Sequence, residues 1–167
     1  MQERLHLGTS DQQGWDKVLF PLMLLIPLAA MVFMSFDAGR FHWSSMPAWI
    51  QVVGTVILLS SFYLLFLTFR ENSYLSSVIR IQEERGQMVV STGPYHHVRH
   101  PMYAGILVFM AGMCFLLGSW YGLLFGAVFT VMLARRAVLE ERTLRDKLPG
   151  YSSYMVQVRY RLIPYVW

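Results

Sequence analysis

The sequence predicts an all-α integral membrane protein: four transmembrane helices, the last two a tight hairpin, followed by a cytoplasmic C-terminal helix and tail. Three observations carry that expectation. Of 167 residues, 55% are hydrophobic and only 14% charged, with a mean hydropathy of +0.41, a balance too apolar for a soluble domain of this size. Long stretches lack any charge at all. Finally, the 14 Lys and Arg residues fall almost entirely on one set of alternating segments, the asymmetry that orients membrane proteins.

Val18 to Phe36 is uncharged over 19 positions and Pro47 to Phe69 over 23. Each is long enough to cross a hydrocarbon core of roughly 30 Å at about 1.5 Å per residue. Pro21 and Pro27 in the first run are compatible with a kinked span, because neighbouring helices satisfy the freed carbonyls. Read instead as a signal peptide, this run has an apolar stretch longer than a usual signal core and a mixed-charge head where a basic one is expected. Pro101 to Ala134 is a third run of 34 uncharged residues. As one helix it would be about 51 Å long, so it must fold back, and Gly118-Ser119 at its middle supplies the turn.

The expected spans are therefore about 18–36, 47–69, 101–117 and 120–136, in a single membrane domain over residues 1–167. Segments 70–100 and 135–167 make up the polar part. The N-terminus, the 70–100 loop and the C-terminal tail carry 2, 4 and 7 Arg or Lys, against 1 in the loop around Arg40 and none in the hairpin turn. Both termini are accordingly expected in the cytoplasm, with the chain in a bacterial inner membrane. The last helix should stop near Pro149-Gly150. Beyond it, Tyr151, Tyr154, Tyr160, Tyr165 and Trp167 alternate with Arg159 and Arg161, a composition suited to the membrane interface.

The single cysteine, Cys114, excludes an internal disulfide and a cysteine-based zinc site. GxGxxG, P-loop, HExxH and GxSxG motifs are absent. Chemistry-bearing side chains collect instead in Gln87 to Gly105, which reads QMVVSTGPYHHVRHPMYAG. Pro101 suits a first helical position and keeps His100 extended, so a rigid polar corner forms at the mouth of the third span. Tyr95, His96, His97, Arg99, His100 and Tyr103 then face a cleft, or anchor the chain among lipid headgroups; residue types alone allow either. A second constellation is Arg135, Arg136, Glu140, Glu141 and Arg142. Arg136 and Glu140 share a helix face and Glu141 is turned about 100° away, an arrangement equally open to solvated i,i+4 pairing. His96, His97 and His100 could be weighed as metal ligands, but Pro101 disfavours a helical His100 and carboxylate partners are distant in sequence, so no metal is expected.

GPYHHVRHPMYAG, then Glu140-Glu141 after the next span, then LPGYSSY and RYRLIPYVW, resemble the isoprenylcysteine carboxyl methyltransferase family, which is related to the phospholipid N-methyltransferases. The resemblance runs from about Glu71 to the C-terminus. It implies an S-adenosylmethionine-dependent membrane methyltransferase with S-adenosylhomocysteine as product, its cofactor bound at the cytoplasmic end of the last helices. By the same resemblance, Gln87, Met88, Val89 and Val90 would meet the adenine through their backbone. Tyr95, His100, Pro101 and Tyr103 would line the pocket, and Glu141 with Glu140 would hold the ribose or amino end. The substrate arginine falls at Arg136, or at its neighbour Arg135. Gln87 stands where the carboxyl methyltransferases often have histidine, which leaves the acceptor open.

The chemistry asks little more of the chain than binding, alignment and exclusion of water, because the cofactor's methyl group is already activated. Arg136 could fix an anionic headgroup or carboxylate, and His100 or Tyr95 could accept a proton from an amine acceptor. The implied partners are membrane lipid and a lipophilic small-molecule acceptor, with neither nucleic acid nor metal. Two other functions fit the pattern: a non-catalytic membrane accessory protein on the same scaffold, and a nicotinamide-dependent membrane reductase.

Overall fold

A computed structural model describes residues 13–76, 82 and 85–167 of the chain. Among these residues the regular structure is entirely helical. Helix α1 spans Asp16–Phe36 and runs into a π-helical turn, Asp37–Phe41. Helix α2 spans Ala48–Glu71. A 3₁₀ turn at Gly93–His96 precedes α3, Pro101–Leu117, and α4 follows at Tyr121–Lys147. The short α5 covers Tyr151–Gln157.

Three helical stretches, Asp16–Phe41, Ala48–Glu71 and Tyr121–Lys147, are long and apolar enough to cross a membrane. The outward faces of α1 and α2 are apolar too, with Leu24, Leu28, Val52, Val56, Leu59 and Phe66 exposed, as a lipid solvent requires. Helix α3 is apolar but only 17 residues long, about 26 Å and so short of the hydrocarbon thickness. Four spans were expected, the last two short; three helices are of spanning length and α3 is a shorter apolar helix over the residues expected of the third. The 34-residue apolar run does break where the turn was placed: α3 ends at Gly118, whose φ of +74° is left-handed, and α4 begins at Tyr121. Pro101 starts α3 as expected, with His100 held non-helical at φ −124° and ψ 63°. Helix α4 carries on past its apolar half to Lys147, because its later residues pack against the polar part of the molecule and need no lipid. Within the aromatic tail, α5 forms after Gly150, and its Tyr151 and Tyr154, three apart, share one buried face.

Helix α3 lies against α2, and α4 packs on both α1 and α3. The α2–α3 seam is close because glycines occupy it. A Cβ on Gly112 would stand 2.8 Å from the Leu58 backbone nitrogen, and one on Gly54 would stand 2.7 Å from the Phe115 carbonyl carbon. Backbone atoms cannot move aside as a flexible side chain does, and small residues at such seams are how helices associate in lipid. Gly54→Val is therefore expected to destabilise the bundle by about 1–3 kcal/mol, read as a lower melting temperature in detergent. An exposed control, Gly39→Ala, meets nothing within 4 Å of the added Cβ and is expected to leave that temperature unchanged.

Helix α1 is pinned at both ends by carboxylates that are fully buried. At its start, Asp16 Oδ1 lies 3.0 Å from both Nε and Nη2 of Arg136 on α4. At its end, Asp37 accepts hydrogen bonds from the Ser44 backbone N–H (2.9 Å), the Ser44 hydroxyl (2.5 Å) and the Ser119 hydroxyl. The Ser44 hydroxyl oxygen in turn accepts from the Trp120 backbone N–H at 3.0 Å. The core between these pins is Met23, Tyr103, Met110, Phe129, Leu133 and Ala137, joined from the tail by Leu162.

Candidate functional site

At the polar end of the bundle, the start of α3, the last turns of α4, α5 and residues from segments 72–76 and 87–100 line a cleft. Its cavity volume is about 100 Å³, and the cleft is open at its mouth. Part of its lining is an apolar wall, with Val89, Leu144, Leu148 and Tyr151 drawn from a single cluster. Adjoining it is a polar wall of Asn72, Tyr95, Arg99, His100, Tyr103 and Glu140, the last one turn from Leu144 on α4.

The polar wall is held by side chains from several elements. The Tyr103 hydroxyl donates to Glu140 Oε2 at 2.6 Å, and the His100 ring stacks on the Tyr103 ring at 5.3 Å and 3°. His100 Nδ1 faces Glu140 at 3.7 Å while its Nε2 lies 3.2 Å from Glu141 Oε1. From behind Tyr103, the Arg136 guanidinium sits 5.8 Å from the ring centroid. The Asn72 amide donates to the Tyr95 hydroxyl at 3.0 Å, and the Tyr154 hydroxyl donates to the Tyr95 carbonyl at 2.7 Å. Burial pushes the phenols of Tyr95 and Tyr154 well above the ordinary tyrosine range, so both remain neutral hydroxyls at any working pH.

Glu141 is the hub that closes this end of the molecule. Its Oε1 accepts from Arg99 Nε at 2.7 Å and faces His100, and its Oε2 accepts from Arg161 Nε at 2.9 Å. Arg99 Nη1 continues to the carbonyls of Val158 and Arg159, at 2.7 and 2.8 Å. The backbones are joined as well: the N–H groups of Arg99 and His100 donate to the carbonyls of Tyr160 and Arg161, each at 2.9 Å. The tail then closes on itself, Arg161, Leu162 and Ile163 donating to the Trp167 carbonyl.

Eight of the residues expected at the cofactor line this cleft: Gln87, Met88, Val89, Val90, Tyr95, His100, Tyr103 and Glu140. Pro101 and Glu141 do not line it, Pro101 because it is buried as the first residue of α3 and Glu141 because both its oxygens are engaged by basic side chains. Arg136 lies outside the lining too, buried against Asp16, whereas its neighbour Arg135 is exposed. His96 and His97 are exposed, stacked edge-on to each other away from His100. Among the described residues no three His, Cys, Asp or Glu side chains are grouped to hold a metal. Sequence reasoning missed Asn72, Tyr74, Leu144, Leu148 and Tyr151 in the lining. Leu144, Leu148 and Tyr151 stand on either side of the break between α4 and α5, so no single helical period marks them.

The family model for phospholipid methyltransferases matches residues 49–149, a segment that starts in α2 and takes in α3, α4 and most of the cleft. The chain belongs to the phospholipid methyltransferase family. The matched segment includes Tyr103, His100 and Glu140, while α1, with Asp16, and α5, with Tyr151, lie outside it. The chain is also similar to the Delta(14)-sterol reductase of Mus musculus, 31% identical over 109 residues. Those residues are 60% of this chain and 25% of the reductase, so the chain spans about a quarter of that relative's length.

Proposed function

We propose that this member of the phospholipid methyltransferase family is an S-adenosylmethionine-dependent methyltransferase whose acceptor is a lipophilic or amphiphilic molecule drawn from the membrane. The observation that carries the reading is the cleft itself, in which an apolar wall of Val89, Leu144 and Leu148 adjoins the Tyr103–Glu140 pair. A nucleoside bearing a cationic amino-acid tail has these same two ends. The donor set therefore fits S-adenosylmethionine, with Gln87 to Val90 and Leu148 against the base and Glu140 toward the cation. When bound, that cofactor supplies a methyl group already activated for transfer.

What remains for the chain is placement. Tyr103 holds Glu140 in one orientation through the 2.6 Å hydrogen bond, and His100, stacked on Tyr103, closes the same wall. With an amine acceptor, a His100 ring nitrogen is the nearest candidate to take the departing proton; a carboxylate acceptor needs no base. Arg136 acts as a positioning residue behind Tyr103, its own charge met by Asp16. An isoprenylcysteine carboxylate and a lipid amine are both chemically admissible acceptors.

Calorimetric titration of the detergent-purified full chain with S-adenosylmethionine and S-adenosylhomocysteine tests the proposal, and saturable binding of both is the expected result. Tyr103→Phe should keep the fold and weaken both ligands about tenfold or more, since it frees a carboxylate otherwise fixed by a charge-assisted hydrogen bond. The second reading, a nicotinamide-dependent reductase, is favoured by the similarity to the sterol reductase. NADPH binding by folded protein that ignores S-adenosylhomocysteine would establish it in place of the first. Binding of neither by folded protein would point to an accessory role.

A further inference from the structure

Tyr151 is 4% exposed and lines the cleft. Its hydroxyl is, among the described residues, the one buried side-chain polar atom without a hydrogen-bond partner. The other cleft tyrosines are all matched: Tyr103 to Glu140, Tyr95 to Asn72, Tyr154 to the Tyr95 carbonyl and Tyr74 to the Gly86 carbonyl. Leaving a buried hydroxyl unmatched is costly, and such groups in folded proteins call for an explanation.

The surroundings of Tyr151 say which part of a ligand would meet it. Its ring packs with Leu148, Tyr154 and Val158, flanked by Val89 and Leu144, so one side is the apolar wall. On the other side the negative charges of Glu141 and Glu140 reach it; together with burial, the largest cause, they push the phenol well above its ordinary range. Tyr151 is thus a neutral group able both to donate and to accept, placed where the apolar wall gives way to the charged one. Glu141 is the other group near this boundary that sequence reasoning assigned to the ribose, but its oxygens are committed to Arg99, His100 and Arg161.

We propose that the Tyr151 hydroxyl hydrogen-bonds to a ribose hydroxyl of the cofactor and is the group by which this cleft recognises the sugar. The inference rests on the S-adenosylmethionine reading above. In such a ligand the sugar joins a flat, largely apolar base to a cationic tail, which is the order in which the cleft presents Val89 and Leu148, Tyr151, and Glu140. A neutral hydroxyl is the natural partner for a neutral hydroxyl; the tail's charge is better met by the carboxylate.

The test is calorimetric titration of the wild-type chain and Tyr151→Phe, each with S-adenosylhomocysteine and with its 2′-deoxy and 3′-deoxy analogues. Wild type should lose about five- to tenfold in affinity when the contacted hydroxyl is removed from the ligand. Tyr151→Phe should bind S-adenosylhomocysteine about five- to tenfold more weakly than wild type and bind that deoxy analogue no more weakly still. Its ligand-free melting temperature should be unchanged or raised, because the variant deletes an unmatched buried group. Wild-type indifference to both ribose hydroxyls overturns the proposal, and needs no variant to show it. Wild-type affinity in Tyr151→Phe overturns it, as does an equal loss for all three ligands with discrimination retained. Failure of wild type to bind S-adenosylhomocysteine at all removes the cofactor reading and this inference together, an outcome distinct from wild-type binding that Tyr151→Phe leaves untouched.

Discussion

Glu141→Ala is expected to be the most damaging single substitution in the chain, lowering stability by about 3–5 kcal/mol. It would strip one carboxylate from Arg99 and Arg161 at once and leave Arg99, which is buried, as an uncompensated charge. The loss should be local first: Arg99 also grips the Val158 and Arg159 carbonyls, so the tail from Val158 to Trp167 loses the anchor that orders it. Limited proteolysis should then cut within that tail at temperatures where wild type resists, and the detergent melting curve should shift down with it. Glu141→Gln keeps the shape and one acceptor and should fall between the two. A variant that loses cofactor affinity while its tail and melting temperature match wild type would show instead that Glu141 faces the ligand directly.

The second large effect is expected at the other buried ion pair. Asp16→Ala should destabilise the bundle by about 3–5 kcal/mol, because the Arg136 guanidinium is 5% exposed and loses a carboxylate 3.0 Å away. Replacing both, Asp16→Ala with Arg136→Met, should recover much of that stability, since the buried cation goes with the carboxylate that meets it. A double-mutant cycle of melting temperatures checks it; additive losses would show that the two residues do not depend on each other. Turnover separates the roles further, for the double variant should be stable yet slow if Arg136 shapes the site through Tyr103.

The long apolar runs made α1 and α2 readable, because in lipid every backbone polar group must be satisfied within the helix and twenty uncharged residues have few other options. Pro101 and Gly118 marked the ends of α3 for equally local reasons: one fits a first helical turn, the other a left-handed exit. The polar strip from Gln87 to Tyr103, with Glu140, was readable as a site because its side chains lie close in sequence or follow one helix face. What could not be read was pairing across the fold. Asp16 and Arg136 are 120 positions apart, and periodicity tells which face of α4 Arg136 occupies without telling which residue comes to meet it. For the same reason Glu141 reads as a ligand contact in the sequence, whereas the Arg99 and Arg161 that engage it arrive from a loop and from the tail. Tyr151 looked like one more interfacial aromatic because an unmatched hydroxyl is a property of its neighbours.

The two pins on α1 bear on how the molecule sits in bilayers of different thickness. Asp16 and Asp37 are 21 positions apart, about 32 Å along a helix, close to the hydrocarbon depth of an ordinary membrane. Both are fastened to the α3–α4 half of the molecule, one to Arg136 and the other to Ser119. A free helix meets a thinner bilayer by leaning alone; α1 cannot lean without dragging its neighbours. The bundle must tilt as a unit, and because the cleft is built on the ends of α3 and α4, its height above the lipid follows the thickness of the membrane.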